Sequence, residues 1–204
     1  MPQDPLTKIT YGLFVAAAKD ELGRDVGCVV NTVCQVTVTP VMVSLTVNKQ
    51  NYTTRAISEK KAFTVSMLDI TTDFELIKRF GFQSSKDADK FIGLKTKRAQ
   101  NGLAYLDQNA NAFLSCRVKQ EIDLGTHVMF IAEVEESGEL SEKESLSYAY
   151  YHANIKPKPE QPKGTKKAWR CKICGYVYEG ETLPPDYICP LCKHGAADFE
   201  PVLI

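Results

Sequence analysis

Four cysteines near the end of the chain carry its clearest chemistry. Cys171 and Cys174 form one Cys-x-x-Cys pair, Cys189 and Cys192 form a second, and 14 residues separate them. Each pair can aim two thiolates at one ion, and two pairs together close a tetrahedral four-sulfur site. Zinc and a single iron both suit that donor set. Zinc would make the segment a scaffold, whereas iron would make it a carrier of single electrons. The flanks "WRCKICGYVYEG" and "YICPLCKHGAADFE" place Gly175 beside a ligand, where the backbone can approach sulfur closely. They also supply Trp169, Tyr176, Tyr178 and Phe199 as a small core for the ion. Amide hydrogen bonds and burial are the means of tuning an iron–thiolate potential. His194 follows a site already completed by sulfur and is expected at the surface.

With these residues, 168–204 resembles a rubredoxin domain, in the short-spaced form found at the end of rubrerythrins. The resemblance implies one iron held by Cys171, Cys174, Cys189 and Cys192.

Such an iron needs an electron donor, which the preceding residues must supply. No Gly-x-Gly-x-x-Gly opens a strand–helix unit, and no second cysteine cluster exists for another iron–sulfur centre. Flavin can be bound by a β-barrel through backbone and small polar side chains. The stretch "VVNTVCQVTVTPVMVSLTVNKQNYTTRAI" offers Asn31, Thr32, Gln35 and Thr37 on and beside a strand. It then places Asn48, Lys49, Asn51, Thr53 and Thr54 at a strand-to-helix junction. A helix N-terminus with hydroxyls and a lysine suits a phosphate, because free amides and the helix dipole both favour an anion.

The elements that must position these residues are mostly strands. "YGLFVAAAKD", "VGCVVNTVCQVTVTP", "VMVSLTV", "AFTVSML", "AFLSCRVKQEI" and "HVMFIAEVEE" are short, partly alternating and rich in Val, Thr and Phe. "DELGRD" reads as a hairpin turn. Helical signals are confined to "NYTTRAISEK" and "TTDFELIKRFGF", the latter with Thr72 as a candidate cap. The expected fold class is mainly β, a barrel with a few short helices plus a small metal domain. Between them, 153–167 holds three prolines, five lysines and one glutamate and reads as a solvated linker. The expected domains are therefore 1–152 and 168–204.

Composition is that of an ordinary globular chain, 44% hydrophobic and 25% charged. Basic and acidic residues balance at 25 each, which gives no support to nucleic-acid binding. The beginning of the chain lacks the basic start and cleavage site of a signal peptide, and no apolar run approaches membrane-spanning length. A cytoplasmic location away from membranes is expected. Cys28, Cys34 and Cys116 are then expected as small core residues, with Cys34 closest to the polar stretch described above.

Residues 6–152 resemble the flavin reductase-like family of FMN-binding split β-barrels, in particular its flavoredoxin-type members. "GCVVNTVCQVTVTP", "VNKQNYTTRAI", "FGFQSSKDADKF" and "GTHVMFIAEV" carry the resemblance, in the family's order. It implies that Asn31, Thr32, Gln35 and Thr37 line the isoalloxazine and ribityl chain, and that Asn48, Lys49, Thr53 and Thr54 hold the phosphate. Lys90 would reach the flavin as a cation. His127 occupies the histidine of the family's Gly-Asp-His signature, near the flavin and the nicotinamide path, as the candidate catalytic residue. Here the signature reads Gly-Thr-His, without the acid that often orients such an imidazole. Tyr150 or Tyr151 would cover the flavin ring from a partner subunit in a homodimer.

A flavin reductase joined to a rubredoxin domain implies an electron-transfer flavoenzyme. NADH or NADPH reduces FMN, the iron takes electrons singly, and a protein acceptor, such as a flavo-diiron protein reducing nitric oxide or oxygen, receives them. Two other functions are compatible with the residues: a carrier reduced by another protein without nicotinamide, and an FMN-binding module whose zinc-ribbon tail recruits a partner.

Overall fold

The structure, a computed structural model, describes residues 8–157 and 167–203. The chain divides into two compact units, 1–156 and 157–204. That division falls inside the expected linker, of which 158–166 lie outside the described residues. The ends of 153–167 are structured: a π-helical turn runs over Tyr151–Ile155, and Lys167 begins a strand.

In the first unit, strands β1 (Phe14–Lys19), β2 (Asp25–Val30), β3 (Val33–Val38), β4 (Val41–Asn48) and β5 (Ala62–Leu68) precede a short hairpin, β6 (Thr96–Arg98) and β7 (Ala104–Leu106). Two long strands follow, β8 (Ala110–Asp123) and β9 (His127–Glu139). Seven of these form one antiparallel sheet in the order β2-β1-β5-β8-β9-β4-β3. The outermost strands, β2 and β3, are consecutive in the chain, with only Asn31 and Thr32 between them. Two residues span well under 10 Å, so the sheet must curl until its edges meet. The result is a barrel split at one seam. The stretch "VGCVVNTVCQVTVTP", which reads as a single strand in sequence, is these two edge strands with the seam at Asn31.

Side-chain alternation fills two cores. Ala16, Ala18, Cys28, Leu45, Val65, Phe63 and Phe130 point into the barrel. Val15 and Ala17, on the other face of β1, pack outside with Leu68, Leu76, Ile77 and Phe80. β1 is therefore buried on both faces, which explains its run of small apolar residues. Helix α1 (Tyr52–Lys60) closes one end of the barrel with Ala56 and Ile57. Helix α2 (Phe74–Gly81) supplies the outer core. Its cap is Asp73, whose Oδ1 accepts the Leu76 amide at 2.8 Å. Thr72, the expected cap, instead donates its hydroxyl to the Asn109 carbonyl at 3.0 Å. Gly27 sits where a Cβ would meet the Ala16 carbonyl at 3.0 Å and the Phe91 and Phe80 rings at 3.0 and 3.1 Å. The hairpin β6–β7 and the turns over 148–155 carry little sequence signal and were not expected.

Cys28 and Cys116 are core residues, and burial pushes their thiols up to about 11 and about 12. Cys34 departs from the expectation and lies exposed on β3, because both faces of that edge strand are uncovered. No helix among the described residues is long and apolar enough to cross a membrane.

In the second unit, β10 (Lys167–Cys171), β11 (Val177–Glu179) and β12 (Phe199–Leu203) form a three-stranded antiparallel sheet in the order β11-β10-β12. It is too small for an ordinary core. Its buried residues, among those described, are Ala168, Cys171, Cys189 and Phe199, the last three wrapped by Trp169, Tyr176, Tyr178, Leu183 and Tyr187.

Lys90 is the one buried lysine of the first unit among the described residues. Its Nζ donates to the carbonyls of Gly27 at 2.9 Å and Phe80 at 3.0 Å. Burial lowers its pKa from 10.5 to about 8, with the nearby Cys28 opposing. A lysine whose folded value lies below its unfolded one binds fewer protons folded than unfolded between those two values. Its contribution to stability therefore rises with pH from about 8 to about 10.5. Relative to Lys90→Met, the wild type should gain up to about 3 kcal/mol across that window, as read from denaturant midpoints at fixed ionic strength. A difference that stays flat with pH would show the ammonium to be unperturbed.

Candidate metal centre and cofactor face

The two cysteine turns are built alike. The amide of the first cysteine donates to a carbonyl five residues on, Cys171 to Tyr176 and Cys189 to His194, both at 2.8 Å. The residue after each second cysteine donates back to the first, Gly175 to Cys171 at 2.9 Å and Lys193 to Cys189 at 3.0 Å. Both of those donors are left-handed, with φ +80° at Gly175 and +63° at Lys193. That conformation costs glycine nothing and lysine about 1–2 kcal/mol. The four Sγ atoms converge to within 4.8 Å of one another. Cys171 and Cys192 lie 3.5 Å apart, and Cys174 and Cys189 lie 3.4 Å apart.

Sulfurs this close cannot all be anionic without a cation between them. The thiols divide accordingly: hydrogen bonding from Cys192 draws Cys174 down to about 5, while Cys192 is itself raised. A tetrathiolate cation site is what this donor set fits. Tyr187 packs against Tyr178 at 4.6 Å and edge-on to Phe199 at 5.4 Å, walling the sulfurs from one side. Cys171 and Cys189 are buried, whereas Cys174 and Cys192 are half-buried. His194 is not among the ligands; its Nδ1 lies 3.1 Å from the Cys192 carbonyl oxygen.

In the barrel, most of the expected cofactor residues lie along the seam and one corner. Asn31 and Thr32 form the link between the edge strands, and Thr32 is tied to β4 through its hydroxyl and the Thr46 carbonyl. Gln35 and Thr37 lie on β3, exposed, and bond locally to the carbonyls of Thr37 and Pro40. The corner is set by register: Asn48 at the end of β4 pairs with His127 at the start of β9. The Lys49 amide donates to the Thr126 carbonyl at 3.0 Å. Lys49 Nζ reaches Asp123 Oδ1 at 2.5 Å and holds that carboxyl below its ordinary range. α1 begins at this corner, with Asn51 as N-cap accepting the Thr53 amide at 3.1 Å.

The structure uses some expected residues differently. The side chains of Thr53 and Thr54 turn inward: the Thr54 hydroxyl donates to the Asn48 carbonyl at 2.7 Å, and Thr53 Oγ1 is buried with no hydrogen-bond partner. Lys90, expected to reach the flavin as a cation, is instead buried and committed to the Gly27 and Phe80 carbonyls, because a buried ammonium needs acceptors and these backbone oxygens supply them. Tyr150 is exposed on a one-turn helix, and its contacts run to Ser147 and Asn154 rather than to the corner. Tyr151 is buried in the outer core. Asp123 and Thr126, which sequence reasoning did not single out as site residues, complete the corner. Thr126 was legible only as the residue standing where an acid was expected.

The polar groups at this corner and the uncovered face of β3 fit a flavin in the residues they offer. The comparisons agree with both units. The flavin reductase like domain matches residues 6–158, and the rubrerythrin, rubredoxin-like domain matches residues 169–200. The chain is 34% identical to the high molecular weight rubredoxin of Moorella thermoacetica, over 99% of this chain and all of that protein. It is 38% identical to the ferric-chelate reductase (NAD(P)H) of Archaeoglobus fulgidus, over 78% of this chain and 93% of that one. Among solved structures, the NADH:FAD oxidoreductase of Streptomyces globisporus superposes with a TM-score of 0.63 at 19% identity, covering 72% of this chain and 90% of that chain, and so shares the fold. The chain thus belongs to the flavin reductase-like family, an NAD(P)H-dependent flavin oxidoreductase whose barrel is followed by a rubredoxin-like domain with four cysteines for iron.

Proposed function

We propose that the flavin is FMN and that the two units work in series, with the barrel taking reducing equivalents from NADH or NADPH and the tetrathiolate site passing them to a separate protein. The observation that carries this reading is the coexistence, in one chain, of a reductase barrel with a polar corner and a four-sulfur site whose ligands converge within 4.8 Å. When bound, FMN accepts a hydride and releases electrons singly, and the iron relays them.

The residues have separate tasks. Asn31, Thr32, Gln35 and Thr37 lie along the flavin ring and its chain, where backbone and small side chains bond without steric bulk. Asn48, Lys49 and the start of α1 receive the phosphate. The Lys49–Asp123 pair is solvent-exposed and therefore weak, so its ammonium is available to an anion. Thr53 and Thr54 shape that corner from inside. His127 faces the nicotinamide side.

The uncovered β3 supports a homodimer. Val36, Val38 and Val41 are exposed in and beside an edge strand, and a partner barrel would cover them and bring Tyr150 toward the flavin. Residues 1–152 act as the reductase domain and 168–204 as the electron outlet, joined by the Lys/Pro-rich 153–167. The acceptor is a protein, of which a flavo-diiron protein is the best match to a reductase–rubredoxin pairing, and the location is cytoplasmic.

Three outcomes test this reading. On anaerobic mixing with NADH or NADPH, flavin absorbance should bleach first and the red ferric–thiolate colour should follow; a flavin that does not bleach removes the reductase role, and zinc in a native preparation removes the relay. Cys189→Ser should abolish delivery to an acceptor protein while flavin reduction continues, and loss of both would mean that the units do not act in series. Lys49→Ala should weaken FMN binding about 10-fold or more, the scale of one charged hydrogen bond; an unchanged Kd measured by flavin fluorescence rejects its phosphate role.

A further inference from the structure

The residue before His127 is a threonine, and its hydroxyl contacts the ring where the Gly-Asp-His signature would place a carboxylate. Thr126 Oγ1 lies 2.8 Å from His127 Nδ1. The backbone around the ring is already fixed. The His127 carbonyl accepts the Leu124 amide at 2.9 Å, and the Thr126 carbonyl accepts the Lys49 amide at 3.0 Å. What remains to be fixed is the rotation of the imidazole, and the Thr126 hydroxyl is the side-chain contact that fixes it. The carboxylate nearest in sequence, Asp123, is engaged elsewhere: its Oδ1 accepts Lys49 Nζ at 2.5 Å and the Gly125 amide at 2.7 Å. Asn48 faces His127 across the β4–β9 pair.

A carboxylate and a hydroxyl orient an imidazole to opposite ends. An ionised carboxylate only accepts, so it holds a proton on Nδ1 and leaves Nε2 as an acceptor or as part of an imidazolium. A hydroxyl can donate. The other hydrogen bonds of Thr126 are made by its backbone, to the Leu124 carbonyl and from the Lys49 amide. Its hydroxyl proton is thus free for Nδ1. We propose that Thr126 is a positioning residue that donates to His127 Nδ1, holding the ring in the Nε2–H tautomer so that a donor, rather than an acceptor, faces the cofactor. This rests on the reading of His127 as the nicotinamide-side residue. It gives this chain an Nε2–H donor where the carboxylate of a Gly-Asp-His signature would leave Nε2 as the acceptor.

The test reads the tautomer directly. In the full chain loaded with FMN, with zinc replacing iron to remove paramagnetic broadening, the imidazole ¹⁵N shifts of His127 should show a bare Nδ1 and a protonated Nε2. Thr126→Val should give a mixture of tautomers, Thr126→Ser should restore the wild-type pattern, and Thr126→Asp should move the proton to Nδ1. In the iron-loaded enzyme, Thr126→Val should lower kcat/KM for the nicotinamide about 3- to 10-fold, the scale of one neutral hydrogen bond, with recovery in Thr126→Ser. A wild-type ring protonated on Nδ1, or a Thr126→Val variant with an unchanged tautomer, overturns the proposal. Failure of the reductase reading is separate: wild-type flavin that NADH and NADPH leave oxidised removes that reading, while the ¹⁵N shifts still decide the role of Thr126.

Discussion

Two residues, Asn31 and Thr32, join strands that lie at opposite edges of a seven-stranded sheet. A connection that short cannot cross a flat sheet, so the sheet has to roll. Rolling creates an inside, filled by Cys28, Phe63, Phe130 and their neighbours, and an outside that α2 must cover. It also leaves a seam where polar residues can sit on the barrel without being buried in it. The register of β4 against β9 then determines which polar residues gather at one corner. A shift of one residue would reverse every side chain on β9 and separate His127 from Asn48.

The second unit has the reverse design. Its strands are short and its apolar residues few beyond the aromatics around the cysteines, so the ion completes the core. Two of the four ligands, Cys171 and Cys189, are both functional and among the most buried groups of the unit, and the hydrogen bonds that shape each cysteine turn also set how close the backbone comes to sulfur.

The cysteine spacing was fully legible in sequence, because the chemistry of the site is local and needs only two short turns. The long strands and both capped helices were legible for the same reason, since alternation and capping act over a few residues. What the sequence did not reveal depended on distant neighbours. Lys90 was expected as a cation reaching the flavin, yet the carbonyls of Gly27 and Phe80, distant in sequence, hold its ammonium inside. Thr72 was the expected cap, but Asn109 claims its hydroxyl and Asp73 caps the helix instead. Cys34 belongs to a strand that would be buried anywhere except at the edge of the sheet. The role of Thr126 required its distance to the ring, which composition cannot supply.

The two cysteine turns share one hydrogen-bond plan but differ in one residue type. Gly175 adopts its left-handed backbone freely, whereas Lys193 holds φ +63° against the clash of its own Cβ. One jaw of the clamp therefore carries a backbone cost of about 1–2 kcal/mol that the other does not. A glycine at position 193 would remove that cost without touching a ligand, so the second turn holds stability that the first has already collected.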